Sequence, residues 1–287
     1  MERFTTIVER TRAQFGEWSL YVIAIIILLF IFFIAGGGIS QNHRWEIETV
    51  RVKGANAVSE DAIREKVVEK LQGNYFFVYA RKNSNLYPRK EIQEVLLDTF
   101  PRLVSVETFR IDAHTVTVNV SERKPHDIWC GNEFKNDKAI LDNCWFLDTT
   151  GFVFDRAPTF SSGVYQEVYG KLAQKDEQTP LRGMLPADLF SYTDTLSQML
   201  RSEVGEPLRV EIKEDKQFEI TMRLSTAYPF LSGVIIRCKD ENDLVTLVKN
   251  LRAAIAAQFP ENVALRKKLL YIDMRFGNKI FFGFENS

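Results

Sequence analysis

The sequence has little of what enzymes and nucleic-acid binders usually carry. Its 287 residues hold 37 Lys and Arg against 38 Asp and Glu, a formal net charge of −1. No basic field is available to neutralise phosphates, which argues against nucleic-acid binding. Histidine occurs three times, as His43, His114 and His126, in a linker, at a turn and at a domain junction. Scattered in this way they read as solvated or structural imidazoles, not as bases or ligands. No GxSxG, P-loop or HExxH motif occurs. Asp148 and Asp155 flank a hairpin and read as turn-capping carboxylates, not as an acid/base pair. No internal repeat or low-complexity segment is visible. The expectation is a non-enzymatic protein with no cofactor and no metal.

Cysteine is scarce too, with three residues. Cys130 and Cys144 bracket the polar loop "CGNEFKNDKAILDNC", and Cys238 is remote. A disulfide closing that loop is natural outside the cytoplasm and unusual within it. The alternatives are two unpaired buried cysteines, or a zinc site lacking both a CxxC and a nearby His.

What the chain does have is one long apolar run, "LYVIAIIILLFIFFIAGGGI", Leu20 to Ile39, with no charge between Glu17 and Arg44. About 20 residues at roughly 1.5 Å each span a hydrocarbon core of roughly 30 Å. Trp18 and Tyr21 stand at its start, where amphipathic aromatics favour the interface. A cleaved signal peptide, with Ala35-Gly36-Gly37 as cleavage site, is the alternative. Against it stand the length of the run and the Glu residues mixed with Arg ahead of it. Arg3, Arg10 and Arg12 precede the run while Arg44, Arg51 and Lys53 follow it, so local charge does not set orientation. Large downstream domains translocate regardless of such a count.

After the polar linker "SQNHRW", Val50 and Val52 alternate with Arg51 and Lys53 as in a half-buried strand. Gly54-Ala55-Asn56 is a turn, and Ser59 is the N-cap of a helix from about Glu60 to Leu71. Val58 and Ile63 fall at hydrophobic-staple positions, with Glu60 and Asp61 in the first turn. Gly73-Asn74 stops that helix. Pro88 opens another, with Ile92, Val95, Leu96 and Phe100 on one face. Two strands follow, "LVSVETFRI" and "HTVTVNVSER", turning at Asp112-Ala113. The order strand-helix-helix-strand-strand predicts a three-stranded sheet with both helices on one face.

From Pro125 the pattern turns to β. Strands are expected on either side of the Thr-Gly turn in "CWFLDTTGFVFDRAP", in "GVYQEVYG", in a hairpin around Lys216 and in "SGVIIRCK". Two more lie in "LLYIDMRFGNKIFFGFE", joined near Gly277-Asn278. Helices are expected over Pro186–Ser202 and Asn242–Gln258. The fold class read here is α+β, divided as residues 1–19 tail, 20–39 transmembrane helix, 45–124 first domain and 125–287 a mixed β-sheet domain with helices.

Several phrases resemble one family in order. "VRVKGANAVSEDAI" is similar to the strand, glycine turn and helix start of the POTRA domain in the FtsQ/DivIB cell-division family. "TFPRLVSVETFRI" and "VTVNVSERKPHDIW" resemble later passages of that domain. "FLDTTGFVF" and "LYIDMRFGNKIFFGF" resemble the start and close of the family's β-domain. The chain departs from the pattern at Ala113, in the Cys130–Cys144 loop and in the longer "ARKNSNLYPRKEI".

The resemblance implies a single-pass scaffold of the division machinery. Its N-terminus is cytoplasmic, its domains are extracytoplasmic, and it sits in the inner membrane at the septum. In that family the last strands recruit the membrane-anchored coiled-coil division proteins FtsB/DivIC and FtsL, and the POTRA surface recruits other division proteins. Arg275, Phe276 and the strand after them carry that role here by resemblance. The residues themselves point to the same place. In Lys279–Phe284, Ile280, Phe282 and Phe284 face one way and Lys279, Phe281 and Gly283 the other. A last strand is expected at a sheet edge, able to accept a partner's strand, with Phe281 as anchor. The alternative for Phe281 is packing under a neighbouring loop or helix. The expected partner-binding set is Arg275, Phe276, Lys279, Ile280, Phe281, Phe282 and Gly283. Asp273 and Arg275 share one strand face, as an exposed pair or as a structural contact at the sheet edge. A POTRA-bearing envelope chaperone or translocation protein is the alternative function, and would call for repeated POTRA units and a β-barrel.

Overall fold

The computed structural model describes residues 2–135, 143–159, 163–175, 177–223, 228–240, 243–260, 267–277 and 279–285, with side chains from residue 18 onward. The described chain is α+β, with mixed sheets and one apolar N-terminal helix. It divides into two compact units, residues 1–122 and 123–287.

The first unit begins with α1, Glu2–Ser40. Its Trp18–Ser40 portion, 23 residues, is long and apolar enough to cross a membrane. The polar linker after it is tied into the rest of the unit. The last carbonyls of a helix need donors from outside it, and here the rest of the unit supplies one. Asn83 donates its side-chain amide to Ser40 O at 2.7 Å, and the buried Ser40 Oγ accepts from Ala80 N at 3.1 Å. Asn42 then caps a single 3₁₀ turn at His43–Trp45, its side chain accepting from Arg44 N at 3.0 Å.

Beyond lie β1 (Thr49–Lys53), α2 (Glu60–Leu71), β2 (Asn74–Tyr75), β3 (Tyr79–Ala80), α3 (Arg89–Thr99), β4 (Leu103–Arg110) and β5 (Thr115–Glu122). The main sheet has the order β1-β5-β4, with β1 parallel and β4 antiparallel to β5. Val50, Val52, Val106, Val116, Val118 and Val120 pack with Ile63 and Val67 of α2 and Ile92 and Leu96 of α3 in one core. Two features differ from the sequence pattern. The small hairpin β2–β3 stands between the helices. Thr115 and Thr117 are also buried, although strict alternation with valine predicts an open face.

The start of α2 is held from across the sheet. Gly54 turns at φ +87°, and a Cβ there would sit 2.2 Å from Val120 O, so only glycine fits. Ser59 Oγ accepts from Ala62 N at 3.4 Å. Glu122, at the end of β5, accepts backbone N–H bonds from Asn56, Ala57 and Val58 at 2.7, 3.0 and 3.0 Å. Burial alone would raise the Glu122 pKa, but these donors together with Arg102 hold it below the usual carboxylate value.

The second unit contains β6 (Asp127–Trp129), β7 (Trp145–Leu147), β8 (Val153–Arg156), β9 (Glu167–Tyr169), α4 (Ala187–Glu203), β10 (Pro207–Ile212), β11 (Gln217–Met222), β12 (Ile235–Lys239), α5 (Leu244–Gln258), β13 (Leu269–Phe276) and β14 (Lys279–Phe284). They form one mixed sheet in the order β14-β13-β12-β11-β10-β9-β6-β7-β8. Leu196 and Leu200 of α4 and Leu247, Val248, Leu251 and Ile255 of α5 pack on Phe218, Ile220, Ile236 and Ile272. Helix α5 starts at Leu244, two residues later than its periodicity predicts, because Asp243 caps it by accepting from Thr246 N at 3.0 Å. Asn242 lies outside the described residues, as does Asn278 in the turn before β14.

Asp148 holds the β7–β8 turn. Its Oδ1 accepts from Thr150 N at 2.8 Å, Thr150 Oγ1 at 2.6 Å and Phe152 N at 3.1 Å, and its other oxygen pairs with Arg123. Cys130 and Cys144 are joined in a disulfide, Cα to Cα 4.2 Å, while Cys238 stands outside that bond, buried in the core.

Two stability predictions follow from these contacts. Glu122→Ala leaves three N–H groups without their acceptor and should destabilise the first unit by about 1–3 kcal/mol, read from urea denaturation. Replacing Cys130 and Cys144 by serine frees a loop whose ends are 14 residues apart. That should lower stability by about 3 kcal/mol through the unfolded chain's regained entropy. The same loss should follow reduction of the native protein by dithiothreitol.

Candidate docking edge

Strands β13 and β14 owe their pairing to a short turn, where Gly277 takes φ +65°, a conformation that favours glycine. In the antiparallel register Ile272 faces Phe282, Asp273 faces Phe281 and Tyr271 faces Gly283. Continuing inward, Ile272 lies beside Ile236 and Asp273 beside Arg237, and β11 presents Ile220 and Glu219 to those two. The period of two therefore splits this end of the sheet into an apolar row, Ile220-Ile236-Ile272-Phe282, and an outer row, Glu219-Arg237-Asp273-Phe281.

The apolar row enters the core. Ile280, Phe282 and Phe284 pack against it, and the Phe259 ring meets Phe282 edge-on at 5.4 Å and Phe284 at 6.3 Å. Of the expected partner-binding residues, Ile280 and Phe282 thus give their side chains to the protein's own core.

The outer row is polar in the middle and aromatic at its edge. Arg275 grips Asp273 through two bonds, Nε to Oδ1 at 2.9 Å and Nη2 to Oδ2 at 2.6 Å, and reaches Gln217 Oε1 with Nη1 at 2.7 Å. This is a structural contact rather than an open ion pair, since Asp273 is buried. Arg275 holds the Asp273 carboxyl below its ordinary value by these hydrogen bonds, against the opposing effect of burial. Arg237 bonds Glu219 Oε1 at 2.9 Å and lies over the Tyr271 ring at 4.5 Å. Tyr271 in turn covers Gly283, where a Cβ would meet the ring at 2.2 Å. Gly283 is therefore a seat for Tyr271 and offers no side-chain contact of its own.

Beyond this polar lattice, Phe276 and Phe281 pack edge-to-face at 5.5 Å and remain 59% and 49% exposed. Among the described residues no loop or helix covers Phe281. With Arg275, Tyr271 and Lys279 the two rings line a shallow groove. Strand β14 pairs with β13 alone, and its other edge has no strand neighbour among the described residues. The arrangement can accept an extended segment on the open edge with an apolar side chain laid against the Phe276–Phe281 pair.

Sequence reasoning brought Arg275, Phe276, Lys279 and Phe281 to this face but missed Gln217, Arg237 and Tyr271. Their signal was present, because each shares the outward parity of its strand, but the parity means nothing until the register of four strands is known. The histidines have partners of their own. His43 pairs with Glu46, His114 Nδ1 lies 3.0 Å from Glu46 O, and His126 lies 3.1 Å from Asp127 and 3.5 Å from Asp194. No group of three or more His, Cys, Asp or Glu able to hold a metal ion occurs among the described residues. No family model matches this chain, and no curated protein matches it in sequence.

The depressed Asp273 carboxyl makes this lattice pH-dependent. A group whose folded-state pKa lies below its unfolded value stabilises the protein above that unfolded value, about 3.8 here, and ceases to as pH falls through the lowered one. The difference in urea midpoint between the native protein and Asp273→Asn should be full at neutral pH. It should shrink steadily towards zero below about pH 4.

Proposed function

We propose that this protein is a non-enzymatic, single-pass membrane scaffold of the bacterial division machinery, similar to the FtsQ/DivIB family. In this reading α1 anchors the chain in the inner membrane with its N-terminus in the cytoplasm. The unit built on the β1-β5-β4 sheet is a POTRA domain, and the edge formed by β13 and β14 docks membrane-anchored coiled-coil proteins of the FtsB/DivIC and FtsL type at the septum. The apolar helix leading directly into a unit in which two helices cover a three-stranded sheet supports the assignment. The Cys130–Cys144 disulfide suits an extracytoplasmic location.

The observation that carries the docking role is the open edge of β14 beside the half-exposed Phe276–Phe281 pair. An unpaired strand edge binds by main-chain hydrogen bonds, and a neighbouring aromatic pair supplies the desolvated anchor that such pairing lacks. Because Phe281 points outward, it can be changed without opening the core.

The full-length chain, purified from membranes in mild detergent, should capture a coiled-coil division partner stoichiometrically. Phe281→Lys should weaken that capture by at least about 30-fold, the loss of one interface hot spot of about 2 kcal/mol. Undiminished capture by Phe281→Lys would sink the edge-strand role. In growing cells a fluorescent fusion on the N-terminal tail should form a mid-cell band before constriction. An even envelope signal would move the chaperone-type reading ahead.

A further inference from the structure

Between α2 and α3 the chain runs "NYFFVYA", Asn74 to Ala80, and forms the small hairpin β2–β3. At its tip Phe76 and Phe77 hold φ +47° and +65°, a left-handed conformation that is strained for a residue with a Cβ. The same two rings are 78% and 96% exposed. A strained turn that presents two phenylalanines outward gains nothing from the protein's own core.

The hairpin lies along α1. Tyr79 Oη donates to Phe33 O at 3.0 Å, and the Phe33 ring meets those of Tyr79 and Phe76 edge-on at 5.1 and 6.4 Å. Two glycines make room for this approach. A Cβ on Gly37 would lie 1.8 Å from Val78 Cγ1, and one on Gly36 would lie 2.8 Å from Tyr79 Oη. Phe33 stands two turns before Ser40, roughly 10 Å along the axis at 1.5 Å per residue. The tip therefore sits beside the apolar stretch Trp18–Ser40, below the first polar residues that follow it.

Backbone groups inside a bilayer must find partners within the protein, and three at the tip have them. Val78 N donates to Tyr75 O at 3.0 Å, Gln41 Nε2 to Val78 O at 3.0 Å, and Asn74 Nδ2 to Phe77 O at 3.5 Å. The charged side chains that follow, Arg81 and Lys82, pair with Glu91 and Glu46.

We propose that the Phe76–Phe77 hairpin is a second membrane contact. Its tip enters the leaflet next to the first unit and places both rings among the lipid acyl chains. The bilayer is the occupant of this surface because the tip is packed on the helix that crosses it, at a depth where that helix is wholly apolar. The contact holds the first unit in a defined attitude on the membrane, which a single helix followed by a free tether would not do. The inference rests on Trp18–Ser40 spanning the bilayer.

The test uses the full-length chain in phosphatidylcholine vesicles, with the buried Cys238 replaced by alanine. A nitroxide is placed at Phe77→Cys, at Leu28→Cys within the helix, or at His43→Cys after it. Collisions with oxygen, which concentrates in lipid, and with a water-soluble nickel chelate are measured at each position. The label at 77 should behave like that at 28, gaining oxygen collisions and losing those with nickel, while the label at 43 shows the reverse. Adding Gly37→Leu, which drives Val78 off the helix, should restore nickel collisions at 77 and leave 28 unchanged. If 77 behaves like 43 while 28 reports lipid, the anchor stands and the hairpin contact is wrong. Shielding of 77 from both reagents would mean that a second copy of the chain covers the tip, which also overturns it. A water-like signal at 28 removes the membrane span itself, and the proposal with it.

Discussion

The alternation of side chains across β11 to β14 is the constraint on which the proposed docking edge depends. One parity buries Ile220, Ile236, Ile272 and Phe282 against α4 and α5, and the other must then face outward. A slip of one residue in β14 would exchange the two sets, placing Phe281 in the core and Phe282 outside. The buried partners of Phe282 and Phe284, with Phe259 between them, make that slip costly. The core thus dictates which phenylalanine is presented.

The same end of the sheet shows how an open edge is kept in order. Arg275 and Arg237 are each committed, to Asp273 and to Glu219. The outer face is a fixed polar lattice, not a set of mobile charges. Tyr271 lies flat over Gly283, which stiffens the pair of strands without adding bulk at the margin. A strand edge with two exposed rings is an aggregation liability in water. Its retention beside a fixed lattice is what a binding surface requires, since the ordering entropy is met before any partner arrives.

A related economy operates at the other end of the chain. The AGGG stretch of α1 has the composition of a signal-peptide cleavage site, yet in the fold two of its glycines form the groove that admits Val78 and Tyr79. Composition cannot separate these roles, because both need small side chains and only contact with a distant hairpin distinguishes them. The linker "SQNHRW" is similar. It reads as a polar linker, but the side chains of Ser40, Gln41 and Asn42 make hydrogen bonds to the helix end, the hairpin and the following turn.

Much of the local structure was legible along the sequence. The apolar length of α1, the Ser59 cap, the valine alternation in β5 and the helical spacing of Leu244 to Ile255 each depend on neighbours within a few residues. So does the outward direction of Phe281 once β14 is recognised as a strand. What the sequence could not determine lies between residues far apart in the chain. Glu122 holding the start of α2, the grouping of Gln217, Arg237 and Tyr271 with Phe281, and the seating of the β2–β3 hairpin on Gly36 and Gly37 all join segments separated by tens of residues. Periodicity states which way a side chain points relative to its own element. Only the packed tertiary structure decides what it meets there.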